Sequence, residues 1–477
     1  MVRLRNDRKS GRTGMTQTRI GFVKQALLPQ GWRCNVRIAT DENGRFAHIE
    51  PDATPDGADW RADVAIPSTP NLHSHAFQRA MAGLAERRQN PADTFWTWRT
   101  LMYRLALRIS PDDMRTIATH LYIEMLRAGY TQVAEFHYLH HAPDGAPYAN
   151  PAEMSVQLIA AAQDAGIGLT LLPTLYARSG FGASGLQTDQ RRFATCAETI
   201  MEIAERAAGA VGDSRLVVGL GLHSLRAVDI ADAARLTERR VHGGPVHIHV
   251  AEQTREVDEC LAATGARPVS YLLDNAPVDD RWCLVHATHM DVEETARAAD
   301  SRAVAGLCPI TEANLGDGFF PFQDYIARKG AWGVGSDSNV LISPGEELRL
   351  LEYGQRLSRR QRCLGLPEGE VGSTGAALYR AAAQGGAQAC GLLAGGDTLW
   401  GITVGARADL CTLDAARLSL PGLTGDAILD AAIFAGTALP IRDVMCAGEW
   451  RVCDGRHPLQ DAARERFNMT AAALLEE

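Results

Sequence analysis

The middle of the chain alternates short apolar runs with longer segments of helical periodicity. Ser110-Pro111-Asp112-Asp113 supplies an N-cap followed by proline in the first turn, Gly129 ends that helix, and an apolar run follows at 131–136. This alternation of helix and strand predicts a parallel sheet or barrel. Eight strand-like runs lie in this region, at 65–72, 131–136, 168–175, 216–222, 246–250, 283–286, 303–307 and 332–335.

Shorter runs separated by turns lie at both ends of the chain. Those at 20–23, 32–38 and 46–49, with a hairpin turn at 41–44, predict half of a small β domain, and those at 408–413 and 444–452 predict the other half. The predicted fold is α/β: a (β/α)8 TIM barrel with a small β-sandwich domain built from N- and C-terminal segments. The predicted ranges are a disordered extension at 1–14, the sandwich at 15–66 and 397–460, the barrel at 67–396, and a C-terminal helical tail at 461–477.

Composition narrows the class of protein. A formal net charge of −9 argues against nucleic acid as the main partner. No run reaches the ~18 apolar residues of a membrane span, and the basic, polar start is not a secretory signal. Ten scattered cysteines without a CxxC motif predict reduced thiols. We therefore expect a cytoplasmic protein that acts on a small molecule and binds neither nucleic acid nor membrane.

Four side chains at the ends of predicted strands form a candidate metal site. His73 and His75 are two residues apart on an extended segment, so both imidazoles face the same side and can reach one metal ion. His249 ends the fifth run and Asp337 follows the eighth, and the ends of barrel strands converge on one mouth. Three nitrogens and one oxygen, with a position left for water, suit a catalytic Zn²⁺. Fe²⁺ or Mn²⁺ could take similar ligands.

Two further side chains are candidates for proton chemistry. Glu252 follows His249 by three residues and could carry a proton from water to a leaving group. His286 ends the sixth run and could polarise the electrophile. Asp337 would act both as a ligand and as a base. The alternatives are a solvated loop carboxylate for Glu252 and a hydrogen-bonded core histidine for His286.

The four segments that carry these residues resemble the amidohydrolase superfamily in their motifs and in their order along the chain. They are His-x-His after the first strand, His-x-x-Glu after the fifth, His after the sixth and Asp after the eighth. The segment at 401–410, which returns to the small β domain, is also typical of it. Many members of the superfamily hold two metals bridged by a carboxylated lysine of the fourth strand. Lysine occurs here only at positions 9, 24 and 329, so the resemblance implies a mononuclear, deaminase-type site with one Zn²⁺ per subunit.

Stretches around the site resemble the formimidoylglutamate deiminase family more closely. They are NLHSHAFQR at 71–79, FWTWR at 95–99, EFHY at 135–138, GLHSLR at 221–226 and CPITEANLGDG at 308–318. The resemblance implies hydrolysis of N-formimidoyl-L-glutamate to N-formyl-L-glutamate and ammonia in histidine degradation, by a homodimer. It also implies five substrate contacts: Gln78, Arg99, Tyr138, His223 and Arg226.

The chemistry of that substrate agrees with two of these contacts, because Arg226 and Arg99 could each pair with a carboxylate through two hydrogen bonds. The alternatives are a surface helix residue for Arg99 and a packed aromatic for Tyr138. A rival function is a deaminase or chlorohydrolase acting on guanine or an s-triazine, whose site needs ring-stacking aromatics and amides in place of two arginines. A metal-free scaffold on the same barrel is a further alternative, against which the intact ligand set argues.

Overall fold

The computed structural model describes residues 19–86, 102–183, 185–209, 215–239, 241–393 and 400–476. The predicted extension at 1–14 and the predicted contact Arg99 lie outside these residues. The strands are β1 (Arg19–Leu28), β2 (Gly31–Thr40), β3 (Phe46–Glu50), β4 (Trp60–Pro67), β5 (Thr69–Ser74), β6 (Tyr130–His137), β7 (Gly168–Leu175), β8 (Leu216–Val218), β9 (Leu220–Ser224), β10 (Val246–Val250), β11 (Trp282–His286), β12 (Val304–Leu307), β13 (Trp332–Val334), β14 (Leu410–Leu413), β15 (Ile441–Cys446) and β16 (Glu449–Val452).

The helices follow the barrel strands as the alternating pattern predicts. They are α1 (Pro111–Ala128), α2 (Glu153–Ala165), α3 (Ala197–Gly209), α4 (Ile230–Arg239), α5 (Thr254–Thr264), α6 (Pro268–Asn275), α7 (Val292–Asp300), α8 (Pro309–Leu315), α9 (Phe322–Ala327), α10 (Pro344–Arg359), α11 (Thr374–Ala389), α12 (Ala427–Phe434) and α13 (Gln460–Leu475). At the start of α1, Ser110 and Asp113 form a reciprocal capping box, and Gly129 ends the helix with φ of 102°. None of the helices within the described ranges is long and apolar enough to cross a membrane.

Parallel strands form the predicted (β/α)8 barrel, in the order β5, β6, β7, β9, β10, β11, β12, β13. The fourth position is shared by β8 and β9, because the chain bends at Gly219, where a Cβ atom would lie 2.4 Å from the carbonyl oxygen of Pro245. The barrel closes beyond the end of β13, where the backbone N–H of Asp337 donates to the carbonyl of His73 and that of His75 donates to the carbonyl of Asp337, both at 2.9 Å. Residues of the candidate metal site therefore form the seam of the barrel.

The prediction of one strand over 65–72 was wrong. The run contains the end of β4, which belongs to the small sheet, and the start of β5, which belongs to the barrel. Ala65 pairs with Thr412 of β14, whereas Thr69 pairs with Tyr130 of β6. The apolar run is continuous because the end of β4 and the start of β5 are both buried, so hydrophobicity alone carries no sign of the change of sheet.

The terminal segments form the predicted small β domain as one mixed sheet, in the order β16, β15, β14, β4, β1, β2, β3. The sheet curls on itself, since Arg45 before β3 bridges to Arg407 before β14. Its inner faces enclose a separate apolar core that includes Val36, Phe46 and Met445. This arrangement encloses its own core in the manner of a sandwich and leaves the mouth of the barrel free.

A buried ion pair joins the small sheet to the barrel. Asp409 accepts hydrogen bonds from the Arg407 guanidinium, from the Thr131 hydroxyl of β6 at 3.0 Å and from the Ala447 backbone at 2.8 Å. Arg407 also donates to the Gln132 side chain at 3.0 Å. Removing one partner of such a pair leaves a buried charge without compensation.

We expect Asp409→Asn to lower the free energy of unfolding by about 3 kcal/mol, because the Arg407 charge stays buried without its counter-ion. Urea denaturation monitored by circular dichroism measures the change. Asp63→Asn is the matched control, because Asp63 forms an exposed pair with Lys24 on the same sheet and such pairs contribute little. Equal stability of the two variants would contradict the prediction.

Candidate metal centre and active site

The four predicted metal ligands lie together at the carboxyl end of the barrel. His73 is the last residue but one of β5, His75 follows that strand, His249 lies on β10 and Asp337 follows β13, and all four are buried. The Nε2 atom of His73 lies 3.2 Å from Nε2 of His75 and 3.0 Å from Nε2 of His249. The Asp337 Oδ1 atom lies 3.4 Å from Nε2 of His73 and 3.2 Å from Nε2 of His75. One ion can therefore contact all four donor atoms.

Backbone carbonyls fix the orientation of two of the imidazoles. The Nδ1 atom of His75 lies 2.9 Å from the Phe136 carbonyl oxygen, and Nδ1 of His249 lies 2.8 Å from that of His223. A carbonyl only accepts hydrogen bonds, so Nδ1 carries a hydrogen in both rings, and a metal ion would be bound through Nε2 of each. Carbonyl partners of this kind are typical of metal-bound histidines.

The charge states of the ligands also suit a cation. Burial lowers the pKa of His73 to about 3 and that of His249 well below its usual value, which keeps both rings neutral. Burial acts to raise the pKa of Asp337, but the adjacent His73 and His75 imidazoles outweigh it and hold that pKa well below its ordinary value. The lone pairs of at least two imidazole nitrogens therefore converge with a carboxylate, and there are too few hydrogen atoms to form hydrogen bonds between them. A divalent metal ion could bind all of these atoms.

The two predicted proton carriers lie beside the ligands. The Nε2 atom of His286 is 3.7 Å from Oε1 of Glu252 and 3.7 Å from Oδ2 of Asp337. Burial acts to lower the pKa of His286, but the charge of Glu252 and the other surrounding carboxylates raise it to about 10. Burial raises the pKa of Glu252. The arrangement places a carboxyl group and an imidazole where protons can pass between them.

Backbone strain is concentrated at these strand ends. His286 has φ of +66° and Asp337 has φ of +44°, both in the left-handed region that residues other than glycine rarely adopt. Ala251, between His249 and Glu252, has φ of +51°. Each such residue costs of order 1 kcal/mol or more, and residues of this kind cluster at functional sites.

Four of the five predicted substrate contacts line the cavity that contains the ligands: Gln78, Tyr138, His223 and Arg226. Gln78 donates from Nε2 to the Tyr138 hydroxyl at 3.1 Å. Arg226 lies beside Glu256; burial acts to lower its pKa, but the Glu256 charge contributes most to the net rise. The fifth predicted contact, Arg99, lies outside the described residues.

Sequence reasoning missed other residues of the cavity, including Met102, Tyr103 and Leu315. Gln190 donates from Nε2 to the hydroxyls of Tyr103 and Tyr176, at 3.1 and 3.0 Å. These side chains carry no sequence signal, because aromatic and apolar residues in a barrel are usually core. Glu256 is different: its i, i+4 spacing from Glu252 at the start of α5 could have identified it.

Comparison with known families matches residues 64–451 to the amidohydrolase family, and the chain belongs to that family. Residues 18–63 match the N-terminal domain of formimidoylglutamate deiminase HutF. The chain is 50% identical over 455 residues to the formimidoylglutamate deiminase of Pseudomonas aeruginosa, an alignment that spans 95% of this chain and 99% of the relative. Within the amidohydrolases, its place is therefore with the formimidoylglutamate deiminases.

Solved structures agree with this placement. An amidohydrolase from Brucella melitensis has a TM-score of 0.91 and 47% identity, with 96% of this chain and 100% of that chain covered. An adenosine deaminase from Xanthomonas campestris with bound zinc has a TM-score of 0.76 at 20% identity, with 95% and 98% covered. This second likeness shows the shared fold.

Proposed function

We propose that the chain hydrolyses N-formimidoyl-L-glutamate to N-formyl-L-glutamate and ammonia, as a step of histidine degradation. The observation that carries the proposal is one cavity lined by Arg226, by Glu252 and His286, and by three of the four metal ligands, His75, His249 and Asp337. In this reaction, water adds to the formimino carbon, the C–N bond to the terminal nitrogen breaks, and that nitrogen leaves as ammonia. Two protons must reach the nitrogen, so the site has to move protons as well as bind the substrate.

Zinc is the proposed metal, held by His73, His75, His249 and Asp337. Bound there, it would act as a Lewis acid and lower the pKa of a water ligand to ~7. The oriented imidazoles and the single carboxylate support a mononuclear site. Iron or manganese remain alternatives of the same ligand chemistry, and metal analysis of the purified protein separates them.

The residues around the ligands would carry the protons. Asp337 would accept a proton from water through Oδ2, the oxygen that faces His286 at 3.7 Å. Glu252 would carry a proton to the departing nitrogen. His286 would donate from Nε2 to the oxygen that gains negative charge when water adds to the formimino carbon.

Arg226 is the proposed partner of a substrate carboxylate, with Gln78, Tyr138 and His223 lining the same cavity. A buried guanidinium forms two parallel hydrogen bonds with a carboxylate, which gives both affinity and orientation. Arg99 is proposed for the second carboxylate. A guanine ring has no carboxylate to offer, so this charge favours the formimino acid.

The experiment that tests the function measures ammonia release by zinc-loaded protein from N-formimidoyl-L-glutamate, with guanine and a chelated sample beside it. We expect metal-dependent ammonia from the formimino acid alone. Ammonia from guanine would agree with the proposed zinc site but would exclude the proposal that Arg226 and Arg99 bind the carboxylates of the substrate. Absence of ammonia from both substrates with zinc bound would exclude the proposed reaction.

Arg226→Met should lower kcat/KM for N-formimidoyl-L-glutamate by roughly 10²-fold, mainly through KM, because the variant loses a buried charge-assisted pair. Steady-state kinetics at fixed ionic strength measure the effect. Arg255→Met is the control, since Arg255 is exposed on α5 and pairs with Glu259. An unchanged kcat/KM in Arg226→Met would exclude Arg226 as the carboxylate partner.

We further propose a homodimer in the cytoplasm. All ten cysteines lie in the described part of the chain as unpaired thiols, which supports a reducing compartment. Light scattering coupled to size-exclusion chromatography tests the dimer.

A further inference from the structure

The segment 308–318, which comprises α8 and its flanking residues, supplies none of the proposed ligands or substrate contacts. It starts directly after β12, and Asp317 near its end accepts a hydrogen bond from Gln253, the residue that follows Glu252. Glu312, in the middle of α8, has 5% of its surface exposed. A buried carboxylate with no assigned role, next to two proposed proton carriers, requires an explanation.

Glu312 contacts the side of His286 that faces away from the metal ligands. Its Oε1 atom accepts a hydrogen bond from the backbone N–H of Cys308 at 2.9 Å and lies 3.3 Å from Nδ1 of His286. The first contact is made within the first turn of its own helix, so the carboxylate is held by the backbone. The second contact then fixes one edge of the imidazole ring.

The chemistry of the two groups decides where the hydrogen lies. A carboxylate accepts hydrogen bonds, so the hydrogen between the two atoms lies on Nδ1 of His286. The opposite nitrogen, Nε2, consequently faces the site, 3.7 Å from Glu252 and 3.7 Å from Asp337. The backbone adds to this constraint, because His286 and Ala287 have φ of +66° and +49°.

We propose that Glu312 is a positioning residue, which fixes the ring orientation of His286 so that Nε2 points at the reacting atoms. The proposal rests on the proposed function of His286 and deepens it. Glu312 has no contact with the substrate in this arrangement and acts only through the imidazole. Partners of this kind change activity by roughly 10- to 100-fold when they are removed.

The test is a double-mutant cycle with Glu312→Ala and His286→Asn. Asparagine keeps a donor near the position of Nδ1 but has no group at the position of Nε2. In this background Glu312 therefore has no catalytic nitrogen to orient. We expect Glu312→Ala to lower kcat by roughly 10- to 100-fold with KM and bound metal unchanged. In the His286→Asn background the same substitution should have no further effect on kcat. An equal loss in both backgrounds would overturn the proposal.

Glu312→Gln separates positioning from a structural effect. The amide oxygen can still accept from Cys308 and His286, so this variant should recover most of the kcat lost in Glu312→Ala. Glu347→Gln is the control: Glu347 is also buried and accepts from the backbone of Ile310 at 2.9 Å, so it supports the same helix without contacting His286. Burial raises the pKa of Glu347 well above its usual value, and the neutral amide replaces a neutral acid with little effect. A loss in Glu347→Gln equal to that in Glu312→Ala would favour a structural role and overturn the proposal.

A spectroscopic measurement keeps this test independent of the substrate. In zinc-loaded protein labelled with ¹⁵N-histidine, the His286 signals can be assigned by comparison with His286→Asn. We expect the Nδ1–H signal of the wild type, which reports the hydrogen bond to Glu312, to be retained in Glu312→Gln and to shift in Glu312→Ala. Failure of the wild type to release ammonia from N-formimidoyl-L-glutamate would exclude the proposed function alone, whereas an unchanged Nδ1 signal in Glu312→Ala would exclude the positioning role.

Discussion

Metal-depleted protein is expected to release ammonia from N-formimidoyl-L-glutamate about 10⁴-fold more slowly than zinc-loaded protein. A metal in this site contributes several kcal/mol to the rate by polarising bound groups, and each ~1.4 kcal/mol corresponds to a factor of ten. Dialysis against a chelator, followed by addition of one equivalent of zinc, should remove and restore the activity. Metal analysis should find one ion per chain.

The same experiment has a readout that does not depend on the substrate. Zinc would bind the folded donor group of His75, His249 and Asp337 but not the unfolded chain, so it should raise the midpoint of thermal unfolding. His249→Asn should lose both the ion and this stabilisation. His247→Asn is the matched control, because His247 is buried on the same strand but lies 2.8 Å from the carbonyl of Ala389, outside the donor group. Full activity in the metal-depleted protein would contradict the proposed site.

The ligand set could be predicted from sequence because its geometry is local to strand ends. His73 and His75 share a face through the two-residue period of an extended chain, and the barrel brings the ends of all its strands to one mouth. The structure places these residues together with His249 and Asp337 as that rule requires. The identity of the four residues therefore needed only the strand pattern and the ligand chemistry.

Contacts that cross between distant segments could not be predicted in this way. Glu312 meets His286 from 26 residues further along the chain, and Gln190 meets Tyr103 across 87 residues. Neither spacing follows a helix or strand period. The prediction of one strand across β4 and β5 failed for a related reason. The end of β4 and the start of β5 are both buried, so no charged residue marks the boundary between them.

The acids around the site divide into two groups by their partners. Asp337 lies against two imidazoles that hold its pKa well below the ordinary value, whereas burial raises the pKa of Glu252 and raises that of Asp317 to about 9. Gln253, next to Glu252, donates to Asp317, which ties the loop after β10 to the segment 308–318. The same fold therefore provides a carboxylate of low pKa in the ligand group and, beside it, a carboxyl group of raised pKa in Glu252.

Glu252→Gln is expected to lower kcat by roughly 10³-fold while leaving the metal bound and KM nearly unchanged. Glutamine has the size of glutamate but cannot take up or release a proton, and Glu252 lines the cavity 3.7 Å from Nε2 of His286. Single-turnover measurement of ammonia release tests the chemical step directly. Glu259→Gln, on the exposed side of α5, is the control for loss of an acidic side chain from the same region.

The outcome separates three roles for Glu252. A large loss of kcat with one zinc per chain identifies a proton carrier, since only the proton transfer has been removed. A parallel loss of zinc would make Glu252 a part of the metal site, and unchanged turnover would remove it from the mechanism. The distances favour the first result, because the four donor atoms that surround the metal position come from other residues and the Glu252 carboxylate lies on the side of His286.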